Sequence, residues 1–214
     1  MGITANKDIT QHIEVVSSES EKKDKLNKIL ENCSGACLIF CNTKRKVKDL
    51  TWDLHPKAVE LHGDLQQKER DQAMHKFKTG AAQILIATDV ASRGLDMRAV
   101  SCVVNYDTPK NCAEDYVHRI GRTGRGGDKG DAHTFLAWGD EKNAAVIIGI
   151  MENSGVEPPE SLKKFAAVAG GGSRWGSSGD SWGESKKDDM WGSSDDKWNK
   201  KEDASSGDNW WEKK

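Results

Sequence analysis

Five short apolar runs, "ACLIFC", "KAVELH", "QILIAT", "SCVVNY" and "AHTFLAW", are separated by longer stretches whose apolar residues recur every three or four positions. A short continuous apolar run bounded by polar residues reads as a strand buried on both faces, and such strands alternating with helices build βαβ units on a parallel sheet. The helical stretches are "ESEKKDKLNKILEN", with Leu26, Ile29 and Leu30 on one face, a second from Lys44 to Leu54, a third from Leu65 to Lys78, "NCAEDYVHRI", and a last from Asp140 to Asn153 that closes the domain. For the third helix, Asp64 is the expected N-cap and Gly80 stands just past the end. The expectation is an α/β layered sandwich with a mostly parallel central sheet over residues 20–168, preceded by a lead-in with a first strand at 1–19 and followed by a tail at 169–214.

In an open parallel sheet, ligands gather where strands end and loops and helix N-termini begin. The residues at those places are polar: Asn42-Thr43-Lys44, His62-Gly63-Asp64 and Thr88-Asp89. A fourth polar stretch, "HRIGRTGRGG" at 118–127, threads three arginines through four glycines. Gly121 and Gly124 break the helix that carries Arg119 and send Arg122 and Arg125 into a loop. Two planar guanidinium forks there could converge on phosphate oxygens. A solvated basic loop at a helix end, where arginine complements the helix dipole, is the competing reading of that stretch taken alone.

Read together and in order, "LIFCNTK", "HGDLQQKERD", "ATDVASRGLD" and "YVHRIGRTGR" resemble the second, C-terminal RecA-like domain of DEAD-box ATP-dependent RNA helicases, and most of all their nuclear RNA-processing branch. The resemblance runs from about Gln11 to Phe165, and "ITANKDITQ" is similar to the linker from a first RecA-like domain. It implies a RecA-like three-layer sandwich. Arg122 and Arg125 are similar to arginine fingers that reach the ATP γ-phosphate across an interdomain cleft. His118 and Arg119 fall where the family couples the nucleotide to RNA and to the other domain. Gly94 and Asp96 match nucleotide-binding positions, Asp96 as acceptor for a ribose hydroxyl. RNA contacts are implied for Thr43, Gly63, Gln67, Arg70, Thr88 and Asp89, or for backbone amides beside them, on phosphate and sugar rather than base edges. Gln67 has a second reading in a capping box with Asp64. Arg70 has no acidic residue one turn away to hold it.

The sequence holds no GxxxxGK[ST] cradle and no DEAD tetrapeptide. On the resemblance, ATP and Mg2+ are held mostly by a first RecA-like domain that this chain lacks, and the chain alone is expected to be inactive. A non-catalytic RNA-binding or adaptor module is the competing class, which intact Arg122, Arg125 and Asp96 disfavour. Partners implied are RNA and that first domain.

The tail carries six of the eight tryptophans and no branched aliphatic residue, so it is expected to be disordered. Trp175, Trp182, Trp191 and Trp198 lie among Gly and Ser, in the manner of hooks for an Argonaute-type partner. Base stacking on RNA and a plain solubilising tail remain open, although eight Lys/Arg against ten Asp/Glu give the tail no basic bias toward phosphate. Cys33, Cys37 and Cys41 recur every four residues without a histidine or a second thiol cluster to complete a metal site, so no metal is expected and buried apolar roles suffice. His12, His55, His75 and His133 are read as ordinary surface or core residues. An N-terminus without an apolar signal core, an odd number of cysteines and no membrane-length apolar run point to an intracellular protein of nucleus or cytoplasm.

Overall fold

Burial of both faces is what turns the short apolar runs into strands. In the computed structural model, which describes residues 2–92 and 99–170, the four residues of β2 (Cys37–Phe40), β4 (Ile84–Ala87) and β5 (Cys102–Asn105) are all buried. With β1 (Ile9–Val15), β3 (Ala58–Leu61) and β6 (Gly130–Leu136) they form a six-stranded sheet in the order β1-β6-β5-β2-β4-β3, and every pairing is parallel. All the strands therefore end on one edge.

Alternation along each strand divides the core between two helical layers. Leu26 of α1 (Glu19–Asn32) and Val47 and Leu50 of α2 (Lys44–Asp53) pack on Ile39, Ile86 and Val104. On the opposite face Met74 and Phe77 of α3 (Gln67–Lys78) meet Leu38, Leu85 and Val103. Beside them, α5 (Cys112–Ile120), α6 (Glu141–Asn153) and α7 (Glu160–Gly170) cover Ile9, Ile13, Ala132 and Leu136 through Tyr116, Ile147 and Leu162. Each fully buried Leu or Ile removes enough apolar surface to contribute roughly 1.5–3 kcal/mol. The expected three-layer RecA-like architecture is the one found.

Two expectations need correction. The third helix begins at Gln67, not Leu65, and its N-cap is Gln66, whose backbone N–H donates to the Glu69 carboxylate at 2.8 Å. Asp64 lies outside it and pairs with Lys44 at 2.5 Å. The domain also does not close at Asn153: the Pro158-Pro159 pair is followed by α7, where Leu162 and Phe165 are buried. Gly80 stands one residue beyond the Thr79 C-cap with φ +78, the left-handed conformation that ends a helix most cheaply in glycine. A four-residue helix, α4 (Asp89–Ser92), follows β4 directly. Among the described residues no helix is long and apolar enough to cross a membrane.

Candidate functional site

The sheet order places β2 between β4 and β5, so the loops after these three strands meet at the middle of the C-terminal edge. Arg119, near the end of α5, reaches into that junction and is only 2% exposed. All five of its N–H groups are used. Nε and Nη2 grip the two oxygens of Asp89, each at 2.6 Å. Nη1 donates to the Asp107 carbonyl at 2.7 Å and to Asn105 Oδ1 at 3.4 Å, and Nη2 also donates to Asn42 Oδ1 at 3.1 Å. The guanidinium thus fastens together the residues after β4, β5 and β2, with its carbon 5.0 Å from the centre of the Phe40 ring.

Asp107 completes the junction. Burial opposes the charge on its carboxyl, yet hydrogen bonds from Lys46 at 2.6 Å and the Asn42 N–H at 3.0 Å, with the charges of Lys46 and Lys22, hold it below the usual carboxylate range. The Asn42 amide also donates to the Thr108 carbonyl at 2.7 Å. Thr43 is therefore set by its neighbour, while its own Oγ1 caps α2 by accepting from the Lys46 N–H at 3.3 Å.

The sequence-derived RNA residues fall along this edge. Thr43 and Gly63 are exposed, and their following residues are tied together by the Lys44–Asp64 pair. Gly63 has nothing within 4 Å of the place where a Cβ would be, so its backbone is open to an approaching ligand. Thr88 is half-buried and its N–H donates to the Leu61 carbonyl at 3.1 Å. Arg70 leans over α4, with Nη2 3.4 Å from the Ala91 carbonyl and a buried Nε that has no partner among the described residues. Gln67 is exposed and donates to Asp71 one turn along α3 at 2.8 Å, so it belongs to no capping box. The carboxylate of Asp89 is occupied by Arg119, which leaves its backbone, not its side chain, to face a ligand.

The three arginines of "HRIGRTGRGG" have separate fates. Arg119 is built into the fold. Arg122 is half-buried and Arg125 exposed, and among the described residues neither has a carboxylate within ion-pair distance. Burial, then the like charge of Arg125, lowers the Arg122 pKa from its ordinary value. Arg125 Nε donates to the Gly121 carbonyl at 2.7 Å, which turns its side chain back over the loop. Between them Thr123 is buried, with Oγ1 donating to the Val100 carbonyl at 2.5 Å, and Gly124 adopts φ +63. A Cβ on Gly124 would come within 2.6 Å of Ile9 Cγ1. The Gly124 carbonyl accepts from the Asn6 side chain at 2.6 Å, and the Gly130 N–H donates to the Asp8 carbonyl at 3.0 Å. The loop is clamped at its centre, with Arg122 half-buried on one side of the clamp and Arg125 exposed on the other. His118 lines the same shallow hollow as Asp89, Arg119 and Arg122.

Gly94, Asp96, Trp175, Trp182, Trp191 and Trp198 lie outside the described residues. Asn105, Asp107 and Thr123 had no role assigned from sequence. Asp107 was reachable, because it follows β5 as Asn42 follows β2.

The family described as helicase conserved C-terminal domain matches residues 21–127. The chain belongs to that family. It is 46% identical over 182 residues to the DEAD-box ATP-dependent RNA helicase 14 of Arabidopsis thaliana, covering 81% of this chain but 29% of that protein. The solved C-terminal domain of the DEAD-box protein Dbp5 is 34% identical, with a TM-score of 0.61 over 76% of this chain and 99% of that one. Dbp5 of S. cerevisiae bound to RNA and ADP BeF3 is 33% identical, with a TM-score of 0.62 over 76% of this chain and 46% of its own. The chain thus spans about a third of the helicase from Arabidopsis, and its fold is that of a DEAD-box C-terminal RecA-like domain.

Proposed function

We propose that this chain is the C-terminal half of an ATP-dependent RNA helicase, holding RNA backbone at its strand-end edge and supplying Arg122 and Arg125 to a nucleotide seated on a first RecA-like domain. The observation that carries this reading is the division among the three arginines: one is consumed by the fold, and two are fixed by a clamped loop with no counter-charge among the described residues. Two guanidinium groups kept close against their mutual repulsion fit a site for concentrated negative charge. Phosphate oxygens supply it. ATP, with Mg2+ held by carboxylates of the other domain, supplies the phosphoryl group whose developing charge arginine side chains stabilise.

On the RNA side, exposed Thr43, Gly63 and the backbone beside Thr88 and Asp89 supply short donors, and Arg70 a charge. Such a set suits phosphates and sugars and carries little sequence preference. Arg119 touches neither ligand. It holds Asn42 and Asp89 in one frame and so sets the spacing between the RNA edge and the arginine loop. His118, beside Arg122 in the shallow hollow, faces the same cleft. Asp96 and Gly94 are assigned to the ribose side of the nucleotide. The tail, with its tryptophans among Gly and Ser, is assigned to a partner that offers pockets for indole rings, an Argonaute-type protein being one.

The test is RNA-stimulated phosphate release by the full chain, alone and mixed with a separately prepared first RecA-like domain from a similar helicase. Silence alone and turnover on mixing is the expected result; turnover alone would sink the proposal. In the mixture Arg122→Ala should lower the rate by about a thousandfold or more, while RNA affinity stays within about twofold. A large loss of RNA affinity would show that Arg122 had been misassigned.

A further inference from the structure

α2 starts at the strand-end edge, with Thr43 as its N-cap, and runs back along the sheet carrying four cations, Lys44, Arg45, Lys46 and Lys48, against two carboxylates, Asp49 and Asp53. Val47 and Leu50 face the sheet and are buried. Residues three, four and seven apart share one side of a helix, so Arg45, Lys48, Asp49 and Trp52 stand together on the outer side. Trp52 is 84% exposed, a flat apolar ring in the midst of charged neighbours. It lies about 13 Å along the helix from Thr43.

The charges of α2 are unequally committed. Lys44 pairs with Asp64, Lys46 with Asp107 and Glu19, and Asp53 with Lys23 of α1. Arg45 meets Asp49 only at 3.9 Å, and both side chains stand largely in water, where such a pair holds weakly. Lys48 has no ion-pair partner among the described residues. Arg45 and Lys48 are therefore the cations left for a ligand, and both lie between Thr43 and Trp52. We propose that the outer side of α2 is a second surface for single-stranded RNA, on which Arg45 and Lys48 hold phosphates and Trp52 stacks an unpaired base of the strand that leaves the edge at Thr43.

This inference rests on the reading of the strand-end edge as an RNA site and extends it along one helix. RNA fits the surface better than a protein does, because a protein partner needs a contiguous apolar patch around its aromatic anchor. Among the described residues the other large apolar side chains left exposed, Ile3, Val15, Val90, Trp138, Val146 and Val168, all lie off α1, α2 and α3. A single indole flanked by cations suits a nucleotide instead: the ring takes the face of any base, and the guanidinium and ammonium follow the backbone. The chain as a whole is slightly acidic, at net charge -2, so attraction to RNA has to come from local arrangements of this kind.

The full chain is titrated by fluorescence anisotropy against labelled single-stranded RNAs of about six and about twelve nucleotides. Trp52→Ala should weaken the longer RNA by about fivefold or more and leave the shorter within about twofold, while Trp52→Phe, which keeps a flat face, binds both like the parent. Trp52 packs on little, so the urea midpoint of Trp52→Ala should match that of the parent. Lys48→Gln should lower the slope of log affinity against log salt on the longer RNA by about 0.7, the value for one phosphate of a single strand. Abasic sites in place of the bases at one end of the longer RNA should cost the parent affinity and cost Trp52→Ala nothing further. Arg70→Ala, at the edge itself, should weaken both RNAs, which separates the two readings. Weakening by Arg70→Ala but not by Trp52→Ala would leave the edge standing and overturn the α2 surface, returning the indole to a protein partner. Equal weakening of both lengths by Trp52→Ala would overturn the idea that α2 continues the path from Thr43, and no change with either variant would overturn both readings.

Discussion

Replacing Arg119 by lysine keeps the charge and removes the fork. The guanidinium makes five hydrogen bonds, two of them to Asp89 at 2.6 Å, from a side chain that is 2% exposed. An ammonium has three donors, so at least two of those bonds are lost and the bidentate grip on Asp89 cannot be reproduced. Hydrogen bonds to charged groups are worth about 1.5–3 kcal/mol each, which puts the loss at roughly 3–6 kcal/mol. For a domain whose whole stability is of order 5–15 kcal/mol this is a large fraction. With a urea dependence of about 2 kcal/mol per molar, the unfolding midpoint followed by far-ultraviolet circular dichroism should fall by roughly 1.5–3 M. Arg122→Ala, which removes no ion pair among the described residues, should stay within about 0.5 kcal/mol of the parent. A midpoint for Arg119→Lys no more than about 0.5 M below the parent would refute the view of Arg119 as the fastener of the three strand ends.

Arg70→Ala should weaken binding of a single-stranded RNA and reduce the slope of log affinity against log salt by about one, as expected for one lost phosphate contact; equal slopes in a fluorescence-anisotropy titration would return Arg70 to a purely structural role. Burial and then the neighbouring His12 lower the pKa of His133 from its ordinary 6.5, against the smaller opposing pull of Asp131, Glu14 and Cys33. The folded state therefore favours neutral His133, so its stabilising contribution is complete above about pH 6.5 and is lost as pH falls toward the lowered folded value. His133→Gln should flatten the fall in urea midpoint between pH 7 and pH 5.5, and an unchanged pH profile would contradict this assignment.

Much of the fold was legible because its signals are local. The runs that become β2 and β4 are apolar at every position and that of β5 at all but Asn105, which burial on both faces explains, and α1 spans the residues its periodicity marked, Glu19–Asn32. That all the strands end on one edge followed from the parallel arrangement alone. What stayed hidden depends on partners distant in sequence. Arg119 and Arg122 are alike as residues, and nothing in "HRIGRTGR" says that one closes on Asp89 and Asn42 while the other has no counter-charge among the described residues. His12 and His133 stack at 4.5 Å because β1 and β6 are in register, a pairing that neither strand's own pattern encodes. The start of α3 was misplaced because Asp64 is the better intrinsic cap, but its carboxylate is engaged by Lys44 and the turn continues to Gln66.

The bond from Asn6 to Gly124 joins residues 118 positions apart, and β1 lies on β6 along its whole length. Closing a loop of that size costs roughly 4 kcal/mol of chain entropy before any contact repays it. As the polypeptide is synthesised, at about 5–20 residues per second, β1 must wait on the order of ten seconds for its partner strand, with Ile9 and Ile13 unpaired meanwhile. The sheet around β2 can assemble first from nearer segments, and the arginine loop takes its final shape only when β1 docks. Arg122 and Arg125 are therefore among the last features of the domain to be placed, and their final arrangement reports that the whole sheet is complete.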